Sequence, residues 1–527
     1  MRYFHSYGPV DCQEHFCVAR TALIDNCIEQ LIGNPQKGGH YFTLWAPRQS
    51  GKTWVMQQVA QAVKDQYKEL FHVAMMSMQG IVMEQEDSPD VFLDRVPHLF
   101  RRAFKQRIDR PRSWEELSEL FLADSGLFDR PVILLIDEFD KLPALVIDRL
   151  VSLFRDMYLD RSNFVLHGLA LIGVRAVLGV DSERGSPFNV QRSLHVPNFT
   201  KAEVSDLFGQ YQTESGQKVS PEVVNAVHAA TCGQPGLVCW FGELLTTKFN
   251  PGQDKVIDMA VWEETYLAVV HTEWNNSILN LIKKAQSPYL PQVLDLFTRS
   301  DLPFSIRAEW CSYLYLLGVI DKEKNLDGGA VRYVCRFASP YIQTCLYNAL
   351  TRDLMGERPP ILPLEPMDEL LDVFSGPELN LPALLDRYVF YLQRLKDSGL
   401  NPWHNQPRRT DLHYTEYVGH FHLYAWLQNA VQDYCIVSPE FPTGNGRVDL
   451  HLKCTDKEGV IEVKNYTNQA KTKRYIQQAA SYASNLTLPS ITIALFVPLE
   501  DETILARLSK SYEIAGVQIV VRAIGWV

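Results

Sequence analysis

The stretch "HYFTLWAPRQSGKTWVMQQVAQAV", residues 40–63, constrains this chain more than any other. It reads as an apolar, partly alternating strand, a tight turn, then a run of good helix formers. The turn "APRQSGKT" has the parts that a phosphate needs. Ser50 and Gly51 bring backbone N–H groups close, Lys52 supplies a cation for the β/γ-phosphates, and the Thr53 hydroxyl can hold Mg²⁺. Ala46 stands where the usual motif begins with glycine. The strand–loop–helix setting restores what that departure removes from the bare pattern.

A partner motif follows. "RPVILLIDEFDKL", residues 130–142, is a buried-type apolar strand that ends in two acids. Asp137 would hold Mg²⁺ through water, and Glu138 would polarise the attacking water. "FHVAMMSMQG" reads as a further strand. "GLALIGV" is a third, and it ends at Arg175. An arginine there can sense the γ-phosphate from the neighbouring strand end, or it can be an ordinary surface side chain.

These motifs together resemble the AAA-like, STAND-related P-loop ATPases of bacteria over about the first 250 residues. The entry segment "YGPVDCQEHFCVARTALID" is similar to the family's N-terminal segment, which implies Arg20 near the nucleotide base. "SPFNVQRSLHVPNFTKAEV" resembles the lead into a helical lid. "TCGQPGLVCWFGELL" resembles the Gly-x-Pro lid motif, with Gly233, Gln234 and Pro235, and implies that Gln234 and Pro235 take part in nucleotide binding. The implied division is an ATPase core over 1–200 and a lid over 201–255, with ATP and Mg²⁺ as cofactors.

The middle, 256–353, is less informative. "NSILNLIKKA", "LPQVLDLF" and "AEWCSYLYLLGVID" have helical apolar spacing. "KNLDGGAVRYVCRF" reads as a turn between short strands, and "SPYIQTCLYNAL" as a closing helix. Helices followed by a hairpin suggest a winged helix, here with little positive charge and so more suited to packing on the ATPase than to DNA. A proline-rich linker, 354–366, follows. The basic stretch at 101–112 reads as a solvated helix end.

The last module, 367–527, opens with helical patterns, including "TEYVGHFHLYAWLQNAV". In "NGRVDLHLK" the alternation puts Arg447, Asp449 and His451 on one strand face. In "VIEVKN", Glu462 and Lys464 share a face, roughly 7 Å apart along the strand. Two carboxylates and an ammonium on one face are costly to bury unless something binds there. A divalent metal accounts for the acids, with Asp449 and Glu462 as ligands, and Lys464 can act on the attacking water or the phosphate. The bland alternative is a solvated hairpin. Gln478 and Tyr482 lie four apart on the helix that follows, hence on one face.

The ordered set Asp449, Glu462-Val-Lys464 and Gln478-x-x-x-Tyr482 resembles the PD-(D/E)xK nuclease superfamily over about 410–500, in particular its RecB-type and Mrr-like branches. The resemblance implies Mg²⁺-dependent phosphodiester hydrolysis, and a further acid on the early helix, for which Glu416 and Glu440 compete. His420 and His422, on that same helix, read as structural residues.

The expected fold is therefore a multidomain α/β chain: a P-loop NTPase with a helical lid and a winged-helix-like domain, then a PD-(D/E)xK nuclease-like α/β domain. Composition limits the partners. At 527 residues, with 46% hydrophobic and 21% charged content, the chain is ordinary for a globular protein. A net charge of −11 excludes a protein that coats nucleic acid over its whole surface. Lys471, Lys473 and Arg474 form the local cationic strip that a backbone contact needs. No apolar run reaches the roughly 18 residues that span a bilayer, and the first residues lack the apolar core of a secretory signal. No membrane partner and a cytoplasmic location are expected, and the ten cysteines read as scattered reduced thiols. The expected function is an ATP-regulated nuclease, acting on DNA ahead of RNA and able to self-assemble. Such fusions resemble bacterial proteins of phage-defence and mobile-element settings. The competing reading is a signalling or scaffolding ATPase whose last module only binds nucleic acid or protein.

Overall fold

The computed structural model describes residues 2–84, 86–173, 192–297, 302–327, 330–355, 363–364, 370–401, 403, 416–431, 434–443, 446–454 and 457–526. Contacts divide the chain into two compact units. Met1–Ser277 joins Ile306–Ile320, and Ile278–Ser305 joins Asp321–Val527.

The first unit is built on five parallel strands: β1 (Tyr41–Trp45), β2 (His72–Ser77), β3 (Val132–Asp137), β4 (Leu166–Gly173) and β5 (Arg192–His195). Their spatial order is β2-β3-β4-β1-β5. β3 and β4 are buried along their whole length, because helices cover both faces of a parallel sheet. The period-2 alternation divides their side chains between two cores. Val132, Leu134 and Ile136 meet one core with the segment 92–100 and the helix Ala144–Leu159. Ile133 and Leu135 meet the other, with the helices Thr21–Ile32 and Lys52–Tyr67. The chain thus leaves β1 towards one face and β3 towards the other. The change of side falls at the carboxyl ends of β1, β4 and β3, and such a switch point is where open parallel sheets bind ligands. The helices Lys201–Ser215, Pro221–Thr231 and Pro235–Thr246 follow the sheet. The first opens with a capping box between Thr200 and Glu203.

From 276 onward come helices Asn276–Gln286, Leu290–Leu296 and Glu309–Leu317, then strands β6 (Ile320–Asp327) and β7 (Ala330–Phe337), then helix Pro340–Met355. β6 and β7 form a two-stranded sheet, and Pro303 bridges to Val334. Of the proline-rich stretch at 354–366, residues 356–362, 365 and 366 lie outside the described residues.

The second unit holds a six-stranded sheet of β8 (Ile436–Thr443), β9 (Gly446–Cys454), β10 (Lys457–Asn465), β11 (Ser490–Val497), β12 (Ser511–Ile514) and β13 (Val517–Gly525), ordered β12-β13-β11-β10-β9-β8. β8, β9 and β10 run antiparallel in succession. The helix Gln469–Asn485 then carries the chain over to β11, parallel to β10, as a parallel pairing requires. Val460 on β10 packs with Ile476, Ala479 and Ala483 of that helix. Phe496, on the other face of the sheet, meets Gly419 of helix Glu416–Ala430 and Tyr388 of helix Leu381–Asp397.

The expectation of ten reduced thiols is corrected at two places. Cys12 is bonded to Cys17, and Cys435 to Cys454. The second pair follows from strand register: Ile436 lies opposite Lys453, so the next residues out, Cys435 and Cys454, face each other. The spacing in the sequence carries no sign of this until the β8–β9 pairing is known. No helix among the described residues is long and apolar enough to cross a membrane.

Candidate functional site

The first constellation lies at the carboxyl ends of β1 and β3. Gly51 precedes the helix Lys52–Tyr67 with φ 83°, a left-handed turn that glycine takes at no steric cost. Lys52 Nζ donates to the carbonyls of Ala46 at 2.8 Å and Pro47 at 2.7 Å. Ser50 Oγ donates to the Pro47 carbonyl at 2.8 Å. Ala46 has no positive φ and is fully buried, so a β-carbon in place of the usual glycine is tolerated. Thr53 Oγ1 donates to Asp137 Oδ2 at 2.8 Å, which ties the start of the helix to the end of β3.

Burial governs the charges here. It pushes Lys52 down to about 8, an effect opposed most strongly by the carboxylate of Asp140 and then by Glu138 and Asp137. Burial pushes the Asp137 carboxyl up, against the hydrogen bond from Thr53. Glu138 is left-handed at φ 55° and its carboxylate pairs with Lys141 Nζ at 3.1 Å. That turn carries Asp140 over the end of β4, where a β-carbon on Gly173 would stand 2.6 Å from Asp140 Oδ1. Asp140 is a residue the motif reading passed over. The signal was its position three after Asp137 in the same acidic turn.

Gln234 caps the helix Pro235–Thr246, with Pro235 at the first helical position. Gln234 Nε2 donates to the carbonyls of Arg48 at 3.0 Å and Gln49 at 3.3 Å, so the structure brings it to the phosphate loop. Arg20 is buried. Its guanidinium donates to the Pro197 carbonyl at 2.7 Å, lies 3.8 Å from Glu203 Oε1 and covers the ring of Phe199. Burial lowers its pKa. These contacts tie the N-terminal segment to the start of the helix Lys201–Ser215. Arg175 lies outside the described residues.

The second constellation is on β9 and β10. Ile461 lies opposite Leu450, and the same register carried one step on brings Glu462 beside Asp449. Lys464 Nζ lies 2.7 Å from Asp449 Oδ2 and 3.2 Å from Glu462 Oε2. The N–H of Val463 also donates to Asp449 Oδ2, at 2.7 Å. Glu462 is only 2% exposed, and burial next to Asp449 pushes its carboxyl up. Its Oε1 is buried with no hydrogen-bond partner among the described residues. This is not the solvated hairpin of the bland reading, because β10 is a central, buried strand. Gln478 Nε2 donates to the hydroxyl of Tyr482, and the charges of Glu462, Lys464 and Asp449 all act on that hydroxyl.

His420 and His422 are buried. His420 Nε2 lies 3.2 Å from the Asp449 carbonyl, and its Nδ1 lies 2.6 Å from Tyr347 OH. The side chains of Glu416 and Glu440 lie outside the described residues. Lys471, Lys473 and Arg474 are exposed on the first turns of the helix Gln469–Asn485. No group of three or more His, Cys, Asp or Glu side chains among the described residues is placed to hold a metal ion. A site for Mg²⁺ would have to use one or two carboxylates and water, which is how that ion is commonly held. Both the Thr53–Asp137 pair and the Asp449–Glu462 pair fit such a site, the latter through the unpartnered Glu462 Oε1.

Comparison with solved structures finds similarity to the Walker-type ATPase PABY2304 of Pyrococcus abyssi, at TM-score 0.44 and 14% identity, covering 65% of this chain and 99% of that one. The RuvB Holliday junction branch migration motor of Thermotoga maritima is similar at TM-score 0.34 and 13% identity, covering 67% and 99%. The ORC1 protein of Aeropyrum pernix in complex with DNA is similar at TM-score 0.33 and 15% identity, covering 64% and 93%. No curated protein matches. The family model of the AAA-like domain matches residues 5–342, more than half of the chain. The chain therefore belongs to the AAA-like domain family and is an AAA-like P-loop ATPase.

Proposed function

We propose that this ATPase is fused to a metal-dependent phosphodiesterase and that ATP regulates it. The observation that carries the reading is the convergence of Asp449 on β9 with Glu462 and Lys464 on β10, with Glu462 Oε1 left without a hydrogen-bond partner among the described residues. Buried charge of this density is costly unless a ligand uses it. The order of helix Glu416–Ala430, three antiparallel strands, helix Gln469–Asn485 and a parallel strand supports the PD-(D/E)xK resemblance. Asp449 and Glu462 would hold Mg²⁺, which when bound would polarise the phosphoryl oxygen. Lys464 stabilises negative charge on the phosphate, and Gln478 and Tyr482 line the same side. Lys471, Lys473 and Arg474 supply the contact to the nucleic-acid backbone, DNA ahead of RNA. In the phage-defence or mobile-element setting of the resemblance, that DNA would be foreign.

At the other site, Ser50, Gly51 and Lys52 bind the phosphates of ATP, and Thr53 and Asp137 would hold its Mg²⁺. Glu138 orients the attacking water, and Arg175 is proposed to sense the γ-phosphate. The three helices between 201 and 246 support the reading of a STAND-type lid, and the hairpin β6–β7 supports that of a winged-helix-like domain over 256–353. Self-assembly through the nucleotide-binding face is the proposed form of regulation.

A second reading has its own support. Lys464 already bonds both carboxylates, so the site is partly charge-compensated without metal, as a binding module or scaffold would need. Incubation of the protein with plasmid, linear DNA and RNA, with Mg²⁺ or Mn²⁺, with and without ATP, separates the two. Cleavage that disappears in the D449A/E462A variant supports the nuclease. Binding without cleavage under every condition supports the scaffold.

A further inference from the structure

The phosphate loop holds a second left-handed residue besides Gly51, and it is not a glycine. Gln49 has φ 57°. For an L-residue that conformation costs enough that surrounding contacts must hold it. The contacts come from two distant segments. Gln234 Oε1 accepts from the Leu237 N–H, which orients the amide so that Nε2 points at the loop and donates to the carbonyls of Arg48 and Gln49. The N–H of Gly236 donates to the Gln49 carbonyl at 2.9 Å. A β-carbon at Gly236 would stand 2.6 Å from Gln49 Cβ, so only glycine lets the helix end approach this closely. On the other side, Gln49 Nε2 donates to the Ser6 carbonyl at 3.4 Å.

Both loop carbonyls are thus drawn towards the helix Pro235–Thr246. In a trans peptide the N–H points away from its own carbonyl. The N–H groups of Gln49 and Ser50 therefore point away from the helix, and neither donates to a protein acceptor among the described residues. Successive N–H groups around a left-handed residue form the concavity that binds an anion.

We propose that Gln234 and Gly236 do not touch the nucleotide and act through Gln49 as positioning residues. They hold the loop in its left-handed turn, so that the N–H groups of Gln49 and Ser50 are presented to the phosphates before ATP arrives. This rests on ATP binding at the loop and reassigns Gln234 from contact to support.

Glycine adopts the left-handed conformation freely, so a clamp whose task is to hold it there becomes dispensable once residue 49 is glycine. Calorimetric titration of Mg²⁺-ATP into the full chain, in the Q234A, Q49G and Q234A/Q49G variants, tests this. Q234A should weaken binding about 5- to 30-fold, the equivalent of one left-handed residue. In the Q49G background the same change should cost less than about twofold. If Q234A weakens binding equally in both backgrounds, Gln234 contacts the nucleotide itself and the proposal is overturned, as it is if Q234A binds like the unaltered protein. Hydrogen exchange without nucleotide separates this from a failure of the ATP reading. Q234A should speed exchange at the Gly236 amide, whose N–H is held by the Gln49 carbonyl, and unchanged exchange there overturns the clamp whether or not ATP binds.

Discussion

Mild acid should draw stability from the second unit through two of its histidines, because His420 and His422 are buried as neutral rings. The Asp449 carbonyl can only accept a hydrogen bond, so His420 Nε2 carries the proton and Nδ1 accepts from the Tyr347 hydroxyl. A second proton on Nδ1 would meet a donor already in place. Burial lowers both histidines from 6.5 to about 4. For groups lowered in the fold, the unfolded chain binds more protons between the two values. Their contribution is complete above 6.5 and is lost as the pH falls towards 4. A displacement of this size is worth roughly 3 kcal/mol for each ring once both forms titrate fully, and at pH 5.5 about 1.4 kcal/mol for each. Urea unfolding at pH 7.5, 6.5 and 5.5, followed by tryptophan fluorescence, reads the loss. The Trp403 ring lies tilted against His422, with centroids 4.7 Å apart, and reports on this unit. Between pH 7.5 and 5.5 the unaltered protein should lose about 3 kcal/mol relative to the H420Q/H422Q variant, whose two side chains do not titrate, while the raised Glu462 carboxyl acts alike in both. An equal fall in the variant and the unaltered protein would refute the assignment of both rings as neutral and buried.

Further outcomes follow from the two sites. Lys52→Ala should abolish ATP binding in a filter or calorimetric assay, while Glu138→Gln should bind normally and hydrolyse roughly 10²- to 10⁴-fold more slowly, as loss of a general base does. Lys464→Ala should lose cleavage of plasmid while Mn²⁺ binding, read by electron paramagnetic resonance, persists; cleavage at the unaltered rate would remove Lys464 from the mechanism. The ATP-bound Glu138→Gln variant should show larger mass by light scattering, or altered cleavage, relative to the ADP and nucleotide-free forms, and identical mass and rate in all three would end the switch reading. Replacing Cys435 and Cys454 by serine opens a link across 19 residues and should cost about 3 kcal/mol in the same urea assay.

Much of this molecule is written locally. The run Val-Ile-Leu-Leu-Ile-Asp at 132–137 announces a buried parallel strand, and "APRQSGKT" between a strand and a helix announces a phosphate loop, because these signals depend on neighbours one to four residues apart. The shared face of Glu462 and Lys464 is likewise a consequence of period two. Short-range pattern thus settles the class of the first sheet, its phosphate loop and the residue types available for metal and phosphate chemistry. The remainder depends on how the elements assemble. Assembly inserted β4 between β1 and β3, carried Asp140 over Gly173, and set Gln234 against Gln49 across 185 residues. It chose the register that places Asp449 beside Glu462 and Cys435 opposite Cys454. Strand order and register come from the summed burial of many side chains over long separations, each contributing little. Such a sum leaves no pattern at any one position of the chain, and so these pairings become visible only once the sheets are assembled.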